Sequence, residues 1–138
     1  MIILRKLSND ERGASAVELA LSLPILLTFI FGMMQVGMVM AADAGMQHAL
    51  GEGARMATLY PAPTDAAIQA RINSKVFGTY VGAYNVAAPV TVNAGTSKYK
   101  TLSVSYTVTP NFLFFTGPPI TLNRSKRVYL TEDAPAAT

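Results

Sequence analysis

The sequence predicts an α+β fold: a long N-terminal transmembrane α-helix as a spine, then a short second helix and a small antiparallel β-sheet. Three features predict it. Residues 19–42 carry no charged side chain, an amphipathic stretch follows as far as residue 59, and apolar residues alternate with hydroxyl residues over 101–108. A long charge-free stretch is typical of a membrane span, and strict alternation is typical of a half-buried strand.

Composition narrows the classes of function. The chain has 138 residues, a formal net charge of +3 and no cysteine. That length suits one small domain. The weak charge bias, without an aromatic-rich basic stripe, argues against nucleic acid as a partner. The lack of cysteine excludes disulfides, zinc knuckles and thiol chemistry.

The charge-free stretch is long enough to cross a membrane. Its 24 residues would form a helix of about 36 Å, against a hydrocarbon core of about 30 Å. Arg5, Lys6 and Arg12 precede it and the next basic residue is Arg55, which predicts a cytoplasmic amino terminus and an exported carboxyl-terminal part. A weak signal-peptidase site after Ala44 leaves open a cleaved signal sequence.

A carboxylate at the inner end of the span requires an explanation. Glu18 either lies in the headgroup layer or pairs with a positive charge. A cut after Gly13 would create an ammonium group at Ala14, which could pair with Glu18 of a neighbouring subunit where the dielectric constant is low. Such a pair would set the axial register between adjacent helices.

These residues carry a family resemblance. A short basic leader ends in Gly13, small residues follow, and Glu18 is the fifth residue after that glycine. With "RGASAVELALSLPILL", "FGMMQVG" and "GEGARMA", the segment from about 12 to 57 resembles the TadE-like pseudopilins of the tight-adherence (Flp) type IV pilus system. The resemblance fades over the carboxyl-terminal half. Gln35 stands where many relatives carry an acidic residue.

The resemblance implies a pilin-like fold and a structural function without catalysis or cofactors. It implies that prepilin peptidase, a membrane-embedded aspartyl protease, cuts between Gly13 and Ala14. The product would be a minor pilin or pseudopilin in the bacterial inner membrane, with other pilin-like subunits, inner-membrane assembly proteins and lipid as partners. The parts would be a cytoplasmic leader (1–13), a membrane helix with its periplasmic extension (14–60) and a small periplasmic domain (61–138). The alternative is an unprocessed single-pass anchor that displays a periplasmic interaction domain.

Small residues recur every four positions along the second half of the helix. Because such a row forms a ridge that permits close backbone approach, it predicts a helix-packing face. Its members are Gly37, Ala41, Gly45, Ala49, Gly53 and Ala57. The helix is expected to end near Leu59, before Pro61.

The chain offers little that could form a reactive site. His48 and Glu52 share a helix face but do not complete a metal or acid–base site. They are interpreted as part of a solvated face or as an intrahelical hydrogen bond, and Glu52 with Arg55 as a local surface pair. No nucleophile with a base, metal constellation or phosphate loop can be assembled from the sequence, so an enzyme is not expected.

The carboxyl-terminal half should form the second helix over 65–77 and strands near 90–93, 101–108 and 121–130. Alternation over 101–108 predicts that four side chains are buried: Leu102, Val104, Tyr106 and Val108. Residues 111–119 should form a loop with three phenylalanines, Phe112, Phe114 and Phe115. The favoured interpretation places them in or partly in the core, and the alternative is an exposed contact surface. Residues 132–138 should form a loose tail.

Overall fold

The computed structural model describes residues 11–95 and 97–130. Most of the predicted leader and the predicted tail lie outside these ranges. The helices are α1 (Glu11–Ala57) and α2 (Asp65–Lys75), and the strands are β1 (Ala83–Val86), β2 (Val90–Ala94), β3 (Ser97–Val108) and β4 (Ile120–Tyr129). The predicted α+β fold, a long apolar helix followed by a short helix and a small antiparallel sheet, is confirmed.

The first helix is continuous over its whole length. It passes through Pro24 and ends at Ala57, two residues before the predicted end at Leu59. A final turn, in which the backbone N–H of Leu59 donates to the carbonyl of Met56 at 3.1 Å, takes the chain out of the helix. At about 1.5 Å per residue, its 47 residues span about 70 Å.

The second helix begins as the sequence predicts but stops earlier. The Thr64 hydroxyl accepts a hydrogen bond from the backbone N–H of Ala67 at 3.2 Å, which satisfies one of the unpaired donors at the helix start. Val76 adopts an extended backbone, so the helix ends at Lys75 and not at residue 77. The buried residues of this helix are Ile68 and Ile72.

The sheet is built around β3. One edge of β3 pairs with β4, and the other edge is shared by β1 and β2, which run end to end and antiparallel to it. The register shifts by one residue between Val86, opposite Val104, and Val90, opposite Thr101. Pro89, which has no N–H to donate, lies in the interruption. Strands β2, β3 and β4 are confirmed, whereas β1 was not predicted.

The core lies between the outer half of α1, α2 and the inner face of the sheet. The predicted alternation is confirmed, because Leu102, Val104, Tyr106 and Val108 are all buried. The helices contribute Ala42, Met46, Ala49, Leu50, Ala54, Ala57, Ile68 and Ile72. Such a small sheet buries little surface by itself, so it depends on α1 for its core.

One turn approaches the α1 backbone very closely. An added Cβ at Gly45 would lie 1.9 Å from the carbonyl oxygen of Phe77, and one at Gly78 would lie 2.5 Å from the carbonyl oxygen of Ala41. Gly78 also has a φ of +76°, which side-chain-bearing residues rarely adopt. Glycine at both positions therefore permits direct contact between the turn after α2 and the spine.

Tyr106 joins the sheet to the segment after α2. Its ring is buried, and its hydroxyl donates a hydrogen bond to the carbonyl of Val81. Burial raises the pKa of this phenol above its ordinary value of 10.0. Removing the hydroxyl would remove this hydrogen bond, whose net contribution to stability is about 0.5–1.5 kcal/mol.

We expect the stability difference between the wild type and Tyr106→Phe to depend on pH. A pKa raised in the folded state contributes stability that is complete below the unfolded pKa and is lost as the pH rises through the folded pKa. The wild type should therefore be more stable at neutral pH, and its advantage should shrink above about pH 10. Urea unfolding of both proteins across this range measures the difference. Exposed Tyr80, as Tyr80→Phe, is the control, and a constant difference would contradict the prediction.

Candidate functional site

The amino-terminal end of α1 presents the residues of the predicted cleavage and register site. Gly13, Ala14 and Glu18 lie on one continuous helix and are all exposed. Ala14 and Glu18 are four residues apart and so share a face. Among the described residues, none of the three ion pairs includes Glu18. Its carboxylate is therefore accessible to a group on another molecule.

The first half of α1 exposes apolar side chains around its circumference. The helix is long and apolar enough to cross a membrane, with a mean hydropathy of 2.0 in its most apolar window. Side chains on different faces are all largely exposed, including Leu19 at 63%, Leu21 at 69% and Phe29 at 65%. A surface of this kind requires lipid or other apolar helices around it. The long apolar helix fits a membrane-anchored protein.

The row of small residues divides into two parts. Gly37 and Ala41 are exposed, whereas Gly45, Ala49 and Gly53 are buried beneath the carboxyl-terminal domain. A Cβ at Gly53 would lie 2.4 Å from Ile72 Cγ1, while one at Gly37 would meet nothing within 4 Å. Within one molecule, the outer part of the row therefore packs against α2 and the sheet. The inner part is open to another helix.

Glu52 has a different partner from the predicted one. Its carboxylate accepts a hydrogen bond from the Arg71 guanidinium at 2.6 Å, so it links α1 to α2. The predicted local partner, Arg55, forms no direct ion pair with it among the described residues. The Arg71 hydrogen bond, together with the charge of Arg55, nevertheless lowers the pKa of the Glu52 carboxyl. The ring of His48 lies 5.7 Å from that of Phe77 in a tilted contact. Over residues 11–95 and 97–130, His, Asp and Glu side chains form no group of three that could hold a metal ion.

Two further ion pairs attach the sheet to the helices. Arg124 Nε lies 2.6 Å from Asp43 Oδ1, and Lys100 Nζ lies 2.5 Å from Asp65 Oδ1. The hydrogen bond from Arg124 to Asp43 raises the pKa of the guanidinium above its ordinary value. The Asp43–Arg124 pair lies at the end of the charge-free stretch of α1. It joins residues 81 positions apart, which sequence spacing does not reveal.

The β3–β4 loop contacts α1 inside the charge-free stretch. The side-chain amide of Gln35 donates a hydrogen bond to the carbonyl of Asn111 at 3.1 Å, and Gln35 is only 8% exposed. One turn earlier on α1, a Cβ at Gly32 would lie 3.5 Å from the ring of Phe112. A polar side chain in the apolar helix therefore has its partner within the same molecule, and the loop lies along the spine.

The phenylalanines of this loop have different environments. The rings of Phe112 and Phe115 stack with centroids 5.0 Å apart, and Phe112 is half-buried. Phe114 and Phe115 are 58% and 56% exposed. The favoured core assignment therefore holds in part for Phe112 and is wrong for Phe114 and Phe115, because the loop packs on α1 outside the core of the sheet.

Comparison with known proteins gives a family for the helical segment. Residues 13–55 match the family model described as TadE-like protein. No curated protein and no solved structure matches the chain. The match begins at Gly13, includes Glu18 and Gln35, and ends inside the part of α1 that carries the domain. The resemblance predicted from the sequence is therefore confirmed over residues 13–55, where the chain is similar to TadE-like proteins.

Proposed function

We propose that this protein is a structural minor pilin or pseudopilin of the tight-adherence (Flp) type IV pilus system, cut by prepilin peptidase between Gly13 and Ala14. The observation that carries the proposal is the family match, which begins at this bond and extends along the apolar helix. The family suggests a role in the Tad pilus system. Cleavage and a place in pilus assembly are our inference.

The geometry of α1 supports an assembly role. Its amino-terminal half extends beyond the folded domain, with exposed apolar side chains that another helix or lipid can cover. Gly37 and Ala41 offer a small-residue surface on the same helix. Other pilin-like subunits would therefore pack along α1, and the role needs no catalytic group of its own.

The proposed location follows from the arrangement of charges. Before assembly, α1 would anchor the protein in the inner membrane, with residues 1–13 in the cytoplasm and the α2–sheet domain in the periplasm. The prepilin peptidase and the inner-membrane assembly proteins are the proposed partners at this stage. The alternative, an unprocessed single-pass anchor, uses the same span and retains the leader.

The intact mass and amino-terminal residue of the protein distinguish these functions. We would extract it from membranes of cells that contain active prepilin peptidase or a catalytically inactive variant. The proposal predicts a start at Ala14 with the active enzyme and at Met1 with the inactive one. Gly13→Leu is a matched substrate variant, because a Cβ at Gly13 meets nothing within 4 Å and the fold should be unaffected. It should retain Met1.

Other start sites would contradict the proposal. A start at Met1 with active peptidase, in cells that process another pilin normally, would favour the unprocessed anchor. A start after Ala44 would mean that the apolar stretch is a removed signal sequence. That outcome would also remove Ala42, which lies in the core, and would leave the domain without part of its packing surface.

A further inference from the structure

The helix α1 and the strand β4 lie side by side, and their charged side chains stop at the same height along the molecule. Asp43 of α1 and Arg124 of β4 form an ion pair at 2.6 Å. Toward the amino terminus from Asp43, residues 19–42 carry no charge, and toward the amino terminus from Arg124, residues 101–123 carry none. The ion pair therefore marks a boundary below which both segments are uncharged.

The β3–β4 loop extends below this boundary along α1. Asn111 accepts the hydrogen bond from Gln35, and Phe112 packs against Gly32. If Glu18 marks the inner face, a hydrocarbon core of about 30 Å ends about 20 residues later, near Met38. Gly32 is six residues before Met38, so Phe112 lies about 9 Å inside the outer boundary.

Three backbone donors of the loop are satisfied within it. Phe112 N–H donates to the carbonyl of Phe115 at 2.9 Å, and Gly117 N–H donates to the carbonyl of Pro110 at 2.8 Å. Leu113 N–H donates to Asn111 Oδ1 at 3.0 Å. The prolines, Pro110, Pro118 and Pro119, have no backbone N–H. Unpaired backbone groups are costly in lipid, so these internal bonds lower the cost of placing the loop in an apolar medium.

The tip of the loop exposes large apolar side chains. Leu113, Phe114 and Phe115 are 50%, 58% and 56% exposed. Between the loop and α1 lies an open groove of about 530 Å³, lined by side chains that include Phe29, Met33 and Val36. The patch is continuous with the apolar surface of the membrane helix, so the same medium would cover both.

We infer that the loop Asn111–Gly117 dips into the outer leaflet of the membrane and that lipid acyl chains cover Leu113, Phe114 and Phe115. The inference rests on the membrane span of the proposed function but not on cleavage or pilus assembly. The loop would hold the domain at a fixed height and rotation about α1, since insertion of one side of a domain opposes its tilting. Extraction of the subunit would then require withdrawal of the loop as well as α1.

The protein has no tryptophan, so single introduced tryptophans can report depth without background. We would reconstitute the full chain in vesicles of phosphatidylcholine and phosphatidylglycerol, with or without bromine atoms at mid-chain. Phe114→Trp tests the loop and Phe29→Trp, in the span, is the inserted reference. Tyr60→Trp is the exposed control, because Tyr60 follows the far end of α1 and is 92% exposed.

The expected result is a blue-shifted emission for F114W and loss of most of it in brominated vesicles, as for F29W, while Y60W keeps a water-like spectrum and its intensity. Quenching of F29W alone would overturn the loop inference and leave the span intact. Quenching of neither would overturn the span and the inference together. If F114W were protected from aqueous acrylamide but not quenched by bromine, a protein surface would cover the loop, which also overturns the inference.

Discussion

Replacing Gly45 with alanine is expected to lower the free energy of unfolding of the carboxyl-terminal domain by about 3 kcal/mol, at the upper end of the usual range for overpacking. The added Cβ would lie 1.9 Å from the carbonyl oxygen and 2.7 Å from the carbonyl carbon of Phe77. Both are backbone atoms that cannot rotate away, so α1 and the turn after α2 must separate. That separation would also disturb Met46 and Ala42, which are fully buried.

Gly51→Ala is the matched control for Gly45→Ala. Gly51 lies in the same helix, and a Cβ there would meet nothing within 4 Å. The free energy of unfolding of the control should rise by up to about 1 kcal/mol, because alanine is the better helix former. Resistance of the domain to proteolysis across a urea series, with the full chain in detergent, measures both variants. The two substitutions should shift the urea midpoint in opposite directions.

The same contact can be tested from its other side. Gly78→Ala should destabilise the domain as well, because a Cβ there would approach the Ala41 carbonyl oxygen at 2.5 Å and the φ of +76° disfavours a side chain. If Gly45→Ala had the same urea midpoint as Gly51→Ala, the turn after α2 would not pack against α1 at this distance.

Features with a strong local period could be predicted from the sequence. The charge-free run over 19–42 predicted the apolar helix, and alternation over 101–108 predicted which face of β3 is buried. Strand β1 has no comparable signal. It has four residues, and only Val86 is buried, so its strand character comes from pairing with β3.

Long-range partners could not be predicted, because spacing along the chain contains no information about them. Glu52 has Arg55 three residues away, yet its ion pair is with Arg71 of α2. Gln35 stands in an apolar helix and nothing nearby in the sequence indicates that Asn111 accepts its hydrogen bond. The small-residue row was visible, but which members face α2 and which remain exposed depends on where the domain folds back.

Replacing Glu18 with glutamine is expected to reduce association of this subunit with neighbouring pilin-like subunits by tenfold or more. A proposed cut after Gly13 places a new ammonium group on Ala14, and a neighbouring subunit's Glu18 would pair with it between apolar helices. Removing one partner of a buried ion pair costs about 3–5 kcal/mol, and about 1.4 kcal/mol is already a factor of ten. Glutamine keeps the size of the side chain, so the change tests the charge.

The absence of cysteine allows a direct measurement of this association. Val17→Cys places a thiol on the exposed helix beside Glu18, and oxidation in membranes would join adjacent subunits. Disulfide-linked dimers, together with the amount of protein in sheared pili, should fall when Glu18→Gln is added. Ser22→Ala is the matched control one turn away, because it also removes a polar group, a hydroxyl that donates to the Leu19 carbonyl of its own helix.

Cleavage and folding must be unchanged for this result to report the charge pair. Glu18 lies outside the core and is exposed, so Glu18→Gln should retain the Ala14 start and the wild-type resistance of the domain to proteolysis. Glu18→Asp should recover part of the association, because it keeps the charge on a shorter side chain. Wild-type amounts of crosslinked dimer and of pilus-associated Glu18→Gln protein would show that the carboxylate does not set the register between subunits.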